Sequence, residues 1–241
     1  MAAERPPCSL VSDFMHPKPI RLALFDLDHT LLPLDSDHAW GEFTVKLGWR
    51  DAETHSRAND AFYEQYKAGT LDIAAYVRFA TSAAREHGQA KADQAHARFM
   101  EEVIRPAMRP QAIELVREHQ RAGDTVVIVT ATNEFVTRPI AKAFGVDELI
   151  AIDLERDTQG EPTGEIRGTP SFRGGKVVRV EQWLADRGLS WDRVAYSSFY
   201  SDSINDLPLL ERVDQPVATN PDERLSAIAT ERGWRILTLF P

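Results

Sequence analysis

Short apolar runs alternate with amphipathic stretches along most of this chain. The runs at 22–25 and 125–129, with a third strand-like segment at 193–198, have the length of strands buried on both faces of a parallel sheet. Stretches with helical periodicity connect them, and this βαβ alternation favours right-handed crossovers. Turn-forming residues between 153 and 169 indicate a small hairpin. The pattern therefore predicts an α/β protein with a doubly wound parallel sheet.

The segment between the first two runs is helical in character. From residue 37 to about 100 it contains no proline, and its aromatic and aliphatic residues recur near helical spacing. Gly48, Gly69 and Gly88 lie where such helices would end. We predict three to four helices here, and we expect the aromatic residues to form the core of a small helical unit rather than a ligand site.

Proline residues indicate the domain boundaries. The prediction is a core made of 20–34 and 106–241, with a helical cap at 35–105 inserted after the first strand. The first nineteen residues contain four prolines and lack an apolar segment followed by a small-residue cleavage site. We therefore expect 1–19 to be a mobile leader and not a signal peptide.

Composition narrows the class of protein. A hydrophobic content of 43% and a charged content of 27% are ordinary for a globular chain, and no run of about eighteen apolar residues predicts a membrane span. The net charge of −9 argues against a nucleic-acid partner. Cys8 is the one cysteine, so no internal disulfide can form. We expect a cytoplasmic enzyme, and its oligomeric state stays open.

Two carboxylates follow the first predicted strand. Asp26 and Asp28 stand two residues apart at its carboxyl end, which is where open parallel sheets place their active sites. Aspartate is also common in turns after strands, so the pair alone leaves both interpretations open. Residues that could complement the pair follow later, in this order: Thr130, Lys176, Asp202 and Asp206.

This constellation resembles the haloacid dehalogenase superfamily, in its phosphoserine phosphatase branch. The resemblance covers about 20–220, and its motifs match here as Asp26-Leu27-Asp28-His29-Thr30, Thr130, Lys176 and Ser201-Asp202-Ser203-Ile204-Asn205-Asp206. The helical insert and the Asp-Leu-Pro-Leu-Leu tail after the fourth motif also match this branch. Ser201 stands where the family usually has glycine.

The resemblance implies a phosphomonoesterase that works through an aspartyl-phosphate. Asp26 would be the nucleophile and Asp28 the general acid and then base. Lys176 would supply positive charge, and the Thr130 hydroxyl would donate to a phosphoryl oxygen. The supporting residues implied by the same resemblance are Thr30, Asn205 and Asp206.

A divalent cation is expected because carboxylates alone repel a phosphate dianion. Mg²⁺ prefers oxygen ligands and needs few carboxylates. By resemblance it would be held by the Asp26 side chain, the Asp28 main-chain carbonyl and Asp202. The sequence offers no His/Cys cluster at the spacing typical of zinc sites.

The expected substrate is a small phosphomonoester with an amino group. Asp35, nine residues after Asp26, matches the family position where a glutamate binds the substrate amine. The arginine that binds the carboxylate of phosphoserine would fall at Ala80. Arg78 is close by, where we expect it on a different helix face, and it is a candidate substrate-selecting residue together with Asp35 and His29. An amino alcohol phosphate without a carboxylate, such as histidinol phosphate, fits this departure, while phosphoserine stays open. His29 either contacts the leaving group or packs at the loop.

Other functions remain open. A phosphotransferase or mutase would use the same intermediate and exclude water, and a lipid-phosphate phosphatase would need an apolar cap face. A binding module that recognises a phosphorylated partner is the alternative from a different class. A dehalogenase is disfavoured, since it does not require the Asp28 and Mg²⁺ arrangement.

Overall fold

A six-stranded parallel sheet forms the centre of the computed structural model, which describes residues 20–240. Its strand order is β3-β2-β1-β6-β7-β8, and a separate antiparallel hairpin pairs β4 with β5. The expectation for the leader lies outside the described residues. The doubly wound α/β fold is confirmed. The strands are β1 (Ile20–Phe25), β2 (Thr125–Asn133), β3 (Glu148–Ile152), β4 (Leu154–Arg156), β5 (Pro162–Ile166), β6 (Val194–Ser201), β7 (Gln215–Thr219) and β8 (Arg235–Leu237).

The first strand is buried on both faces of the sheet. Successive side chains of a strand point to opposite faces, so its apolar residues join two different clusters. Ala23 and Phe25 join one apolar cluster, whereas Leu22 and Leu24 join the cluster on the opposite face. The first face is covered by α6 (Pro110–Arg121) and α7 (Glu134–Ala143), and the second by α8 (Gly174–Ala185), α9 (Leu207–Leu210) and α10 (Glu223–Arg232).

The segment after β1 forms four α-helices, within the expected number. They are α1 (Ser36–Lys46), α2 (Ala52–Ala68), α3 (Ile73–His87) and α4 (Gln89–Phe99), followed by a π-helical turn (Met100–Ile104) and the short α5 (Arg105–Ala107). Asp35, Asp51 and Asp72 cap the first three helices, each accepting a hydrogen bond from a backbone N–H of the first turn. Gly69 ends α2 with a φ of 73°, the left-handed conformation that favours glycine.

The helical segment does not keep its aromatic residues in a core of its own. Trp40 and Phe43 on α1 and Phe99 on α4 belong to the same cluster as Phe25 of the sheet. Helices α1 and α4 therefore pack directly against the sheet. The division into a core at 20–34 and 106–241 and a cap at 35–105 remains a prediction.

The predicted hairpin is present and packs against α3. Val77 of α3 forms a small apolar cluster with Ile152 and Leu154, and Ile166 lies against it. Strand β2 is longer than expected, because it continues past Val129 to Asn133 with an irregular register. Among the described residues, no helix is both long enough and apolar enough to cross a membrane.

Candidate active site

A cavity of about 210 Å³ lies between the carboxyl ends of the central strands and helices α1 to α3. Parallel strands bring their carboxyl ends to one edge of a sheet, so residues far apart in sequence meet there. The predicted residues that line this cavity are Asp26, Asp28, His29, Asp35, Thr130, Lys176 and Asp202.

Lys176 joins two of the carboxylates. Its Nζ lies 2.8 Å from Asp26 Oδ1 and 2.6 Å from Asp206 Oδ2, and its side chain is 2% exposed. Burial alone lowers the pKa of Lys176, but the charges of Asp206 and Asp26 outweigh it and raise the pKa above its usual value. The ammonium group therefore stays charged at neutral pH.

Glycine at position 175 allows Lys176 to reach this point. A Cβ on Gly175 would lie 2.0 Å from the Pro170 carbonyl oxygen, whereas a Cβ on Gly174 would meet nothing within 4 Å. The residue before the pair, Arg173, has a φ of 53° and a ψ of −126°. The tight entry into α8 thus places the lysine in the first turn of the helix, with its side chain buried against Asp26 and Asp206.

Thr30 bridges Asp26 and Asp202. Its Oγ1 lies 3.3 Å from Asp26 Oδ2 and 3.2 Å from Asp202 Oδ1, and it accepts a hydrogen bond from Asp202 N at 3.0 Å. Burial, followed by the charges of Asp26 and Asp206, raises the pKa of Asp202 well above its usual value. The predicted supporting role of Thr30 therefore has a geometric basis.

Asp28 is held through both of its carboxyl oxygens. Ser36 N donates to Oδ1 at 2.8 Å, and Thr132 Oγ1 donates to Oδ2 at 2.9 Å. Burial raises the pKa of Asp28, and the charges of Asp35 and Asp26 raise it further. A carboxyl group with a raised pKa suits a general acid, because it keeps its proton to a higher pH than an ordinary aspartate.

Two threonines of β2 face the site together, and only one of them was predicted. Thr130 is 1% exposed, and its Oγ1 accepts from Thr132 N at 3.1 Å, which leaves its hydroxyl proton for another acceptor. Thr132 lies two residues further along and therefore on the same side of the strand. This spacing was the sequence signal for Thr132.

Ser201 supplies a contact that glycine could not make. Its Oγ donates to Asp206 Oδ2 at 2.7 Å, and the residue is completely buried at the end of β6. Burial raises the pKa of Asp206 to about 6, although the charge of Lys176 opposes this effect. Asp206 therefore receives two hydrogen bonds at one oxygen, from Ser201 and from Lys176.

The residues predicted to select the substrate do not all lie together. Asp35 lines the cavity and caps α1, accepting from His38 N at 2.8 Å. His29 lines it too, with a φ of 55°, and its main-chain oxygen accepts from Asn220 Nδ2 at 2.9 Å. Arg78 does not line the cavity, because it points to the hairpin and pairs with Glu165 at 3.1 Å.

The outer wall of the cavity comes from α2 and α3. Sequence periodicity assigned the aromatic residues of these helices to a core, but Phe62, Tyr63, Tyr66 and Tyr76 line the cavity. The Tyr66 hydroxyl donates to Ser203 Oγ at 3.1 Å, and Asn205 Nδ2 lies 3.5 Å from the Tyr66 main-chain oxygen. Asn205 thus contacts α2 rather than lining the cavity.

The donor set fits a hard divalent cation. Asp26, Asp28 and Asp202 line the cavity, and Lys176 pairs with Asp26 and with Asp206, so a cation would relieve the repulsion among these carboxyl groups. Within residues 20–240, no three His, Cys, Asp or Glu side chains form a group able to hold a metal ion by themselves. The expected ligand set also includes a main-chain carbonyl oxygen, which such a group does not contain.

The fold and this carboxylate and lysine arrangement define a hydrolase class. The family described as haloacid dehalogenase-like hydrolase matches residues 23–211, and the chain belongs to that family. The expected enzyme class, a phosphatase of this family, is confirmed. Phosphatases of this family generally use Mg²⁺.

Individual relatives are known at higher similarity. A histidinol-phosphatase of Neisseria meningitidis serogroup C (strain 8013) is 43% identical over 216 residues, which span 90% of this chain and 97% of that protein. A solved structure of a protein with unknown function from Bordetella pertussis Tohama I is 50% identical, with a TM-score of 0.87, covering 92% of this chain and all of that one. A substrate-bound phosphoserine phosphatase structure, at 17% identity, has a TM-score of 0.64 and covers 91% of this chain and 93% of its own; it supports the fold.

Proposed function

We propose that this enzyme hydrolyses the phosphomonoester of a cationic amino alcohol, with histidinol phosphate as its preferred substrate. The observation that carries this proposal is the negative charge in the part of the cavity that lies beyond the reacting groups. Asp35 lines that part, whereas Ala80 occupies the position of the family's carboxylate-binding arginine, and the nearby Arg78 is paired with Glu165 elsewhere. The relative named histidinol-phosphatase supports the same substrate.

The basic residue that does line the outer cavity is poorly suited to bind a carboxylate. Lys67 pairs with Glu64 at 2.5 Å, and its Nζ lies 4.8 Å from the centre of the Tyr63 ring. Its side chain is also half exposed, so solvent screens its charge. A substrate ammonium group facing Asp35 would be attracted by the negative charge of that carboxylate. Phosphoserine would bring an additional carboxylate, for which the cavity has no dedicated partner among the described residues.

The proposed reaction has two displacements at phosphorus. Asp26 attacks the phosphoryl group to form an aspartyl-phosphate, and Asp28 gives its proton to the leaving alkoxide. Asp28 then removes a proton from the water that hydrolyses the acyl phosphate. Ser36 and Thr132 hold Asp28 for both steps, since they donate to its two oxygens.

Charge on the transferring group would be stabilised from two sides. Lys176 supplies a buried positive charge beside Asp26, and the Thr130 hydroxyl is free to donate to a phosphoryl oxygen. The Asp26 carboxylate, the Asp28 main-chain carbonyl and the Asp202 carboxylate would hold Mg²⁺. When bound, Mg²⁺ neutralises phosphate charge and orients the phosphoryl group.

The test is phosphate release with Mg²⁺ from histidinol phosphate, phosphoserine and phosphoethanolamine. We expect the highest kcat/KM for histidinol phosphate and no release by Asp26→Asn. Asp186→Asn, at an exposed residue directly after the end of α8, is the matched control and should keep full activity. A higher kcat/KM for phosphoserine would refute the substrate assignment, and full activity of Asp26→Asn would refute the nucleophile.

The expected partner is therefore a small phosphomonoester. The cytoplasmic location and the absence of a nucleic-acid partner stay predictions from composition.

A further inference from the structure

One residue in the cavity wall has a buried amide nitrogen without a hydrogen-bond partner. Asn59 on α2 lines the cavity and is 5% exposed, and its Nδ2 has no acceptor among the described residues. Leaving a buried donor unpaired costs about 1–3 kcal/mol. Such groups are few in native proteins, and each one needs a physical explanation.

His55 adds two more unpartnered nitrogen atoms one turn earlier on the same face of α2. Its side chain is buried and stacks on Phe79 with ring centroids 5.1 Å apart, yet neither Nδ1 nor Nε2 has a partner in residues 20–240. Burial lowers the pKa of His55, so the ring is neutral and offers one donor and one acceptor.

Gly41 on α1 makes room for both polar side chains. A Cβ at Gly41 would lie 2.5 Å from His55 Nε2 and 3.9 Å from Asn59 Nδ2. Glycine inside a helix costs about 0.5–1 kcal/mol relative to alanine. At Gly41 the absence of a Cβ lets His55 and Asn59 lie close to α1, although the described residues provide no hydrogen-bond partner for their nitrogen atoms.

The wall next to Asn59 is aromatic. Phe62 lies three residues further along α2, and its ring meets that of Tyr76 edge-on at 5.4 Å between centroids. Both rings line the cavity. Aromatic surfaces with one or two fixed polar groups are typical of sites that orient a planar ligand ring.

We infer that Asn59, supported by His55, forms a subsite for a planar, hydrogen-bonding ring on the leaving group. This inference rests on the proposed function, since the imidazole of histidinol phosphate is such a ring. A neutral imidazole carries one acceptor nitrogen, which would receive the Asn59 N–H, while Asp35 remains for the amine. Phosphoethanolamine has the amine and no ring, so it would use Asp35 alone.

The first experiment compares the two substrates in Asn59→Leu. We expect KM for histidinol phosphate to rise about tenfold, the equivalent of one hydrogen bond, with kcat within about twofold. KM for phosphoethanolamine should not change. Asp60→Asn, an exposed neighbour on α2, is the control for both substrates. An equal change for both substrates, or no change for either, would overturn the subsite.

A second pair of measurements covers the case in which Asn59→Leu does not fold. Asn59→Met, with an unbranched and adaptable side chain, is made beside it, and thermal melting selects the folded variant. Inhibition by free histidinol should weaken about tenfold in that variant, while inhibition by ethanolamine should not change. Equal inhibition constants for histidinol in native and variant protein would contradict the subsite. If the native protein does not hydrolyse histidinol phosphate, it is the proposed function that fails.

Discussion

Ser201 donates a 2.7 Å hydrogen bond to the same Asp206 oxygen that Lys176 approaches at 2.6 Å. The three groups are buried, so no solvent replaces a lost bond. By sharing the charge of Asp206, Ser201 leaves more of the lysine's charge available to Asp26, whose Oδ1 is 2.8 Å from the same Nζ. We therefore predict that the serine at this usual glycine position is a positioning residue of the site.

Removing the Ser201 hydroxyl should slow the reaction. In Ser201→Ala, Lys176 would be the only side chain among residues 20–240 that is hydrogen-bonded to Asp206 Oδ2. We expect kcat to fall by roughly tenfold with KM within twofold. Steady-state kinetics with histidinol phosphate measure this. Ser56→Ala, on the exposed side of α2, should behave as the native enzyme. An unchanged kcat in Ser201→Ala would show that Lys176 does not depend on this bond.

The glycine pair before Lys176 offers a matched test of how α8 is placed. Gly175→Ala forces its Cβ to within 2.0 Å of the Pro170 oxygen unless the backbone moves, whereas Gly174→Ala meets no atom within 4 Å. We expect Gly175→Ala to lose about 1–3 kcal/mol of unfolding free energy and most of its activity, because Lys176 would shift. Gly174→Ala should keep both properties. Chemical denaturation and kinetics of the two variants decide this, and equal behaviour would refute the packing explanation.

Much of this site could be predicted because its residues follow strand ends in a fixed order. Asp26, Asp28, Thr130 and Asp202 come from motifs whose chain order is visible in the sequence, and the parallel sheet brings them together. Thr132 could have been found by the same spacing. The residues of the outer wall could not have been predicted, because Tyr and Phe recur at the same helical spacing whether they face a core or a cavity.

Arg78 shows the other limit of sequence reasoning. It was a candidate substrate-selecting residue because it lies two residues before Ala80, although on a different helix face, and the direction of a residue on a helix depends on what the helix packs against. Helix α3 packs on the β4–β5 hairpin, and Arg78 meets Glu165 of that hairpin. Asn59 and His55 gave no sequence signal at all, since only their missing partners distinguish them.

A buried acid on α1 should make stability depend on pH. Burial, then the charge of Asp35, raises the pKa of Asp37 from 3.8 to about 7, although hydrogen bonds with Tyr76 and Asn133 oppose this. The folded state therefore binds this proton more tightly than the unfolded state. Its stabilisation is complete below about pH 4 and is lost as pH rises through about 7.

Asp37→Asn removes this dependence. Each pKa unit is worth about 1.4 kcal/mol, so the variant should gain several kcal/mol relative to the native protein between pH 4 and pH 8. Chemical denaturation at both pH values gives the difference, in which the contributions of other acids cancel. Asp60→Asn on the exposed face of α2 should show no such change. A constant difference between Asp37→Asn and native protein across this range would contradict the raised pKa.

Cation binding should reverse the effect of Asp202 on stability. Without metal, Asp202 is a buried carboxyl group repelled by Asp26 and Asp206, so Asp202→Asn should melt at a higher temperature than the native protein after chelation. Mg²⁺ that binds only the folded state stabilises it, so the native protein should gain about 2.7 kcal/mol of unfolding free energy at a Mg²⁺ concentration a hundred times Kd. The variant should gain much less. Thermal melting with EDTA and with Mg²⁺ measures both effects. Equal Mg²⁺ responses in the two proteins would exclude Asp202 as a ligand, and a destabilised metal-free variant would show that carboxylate repulsion does not dominate this site.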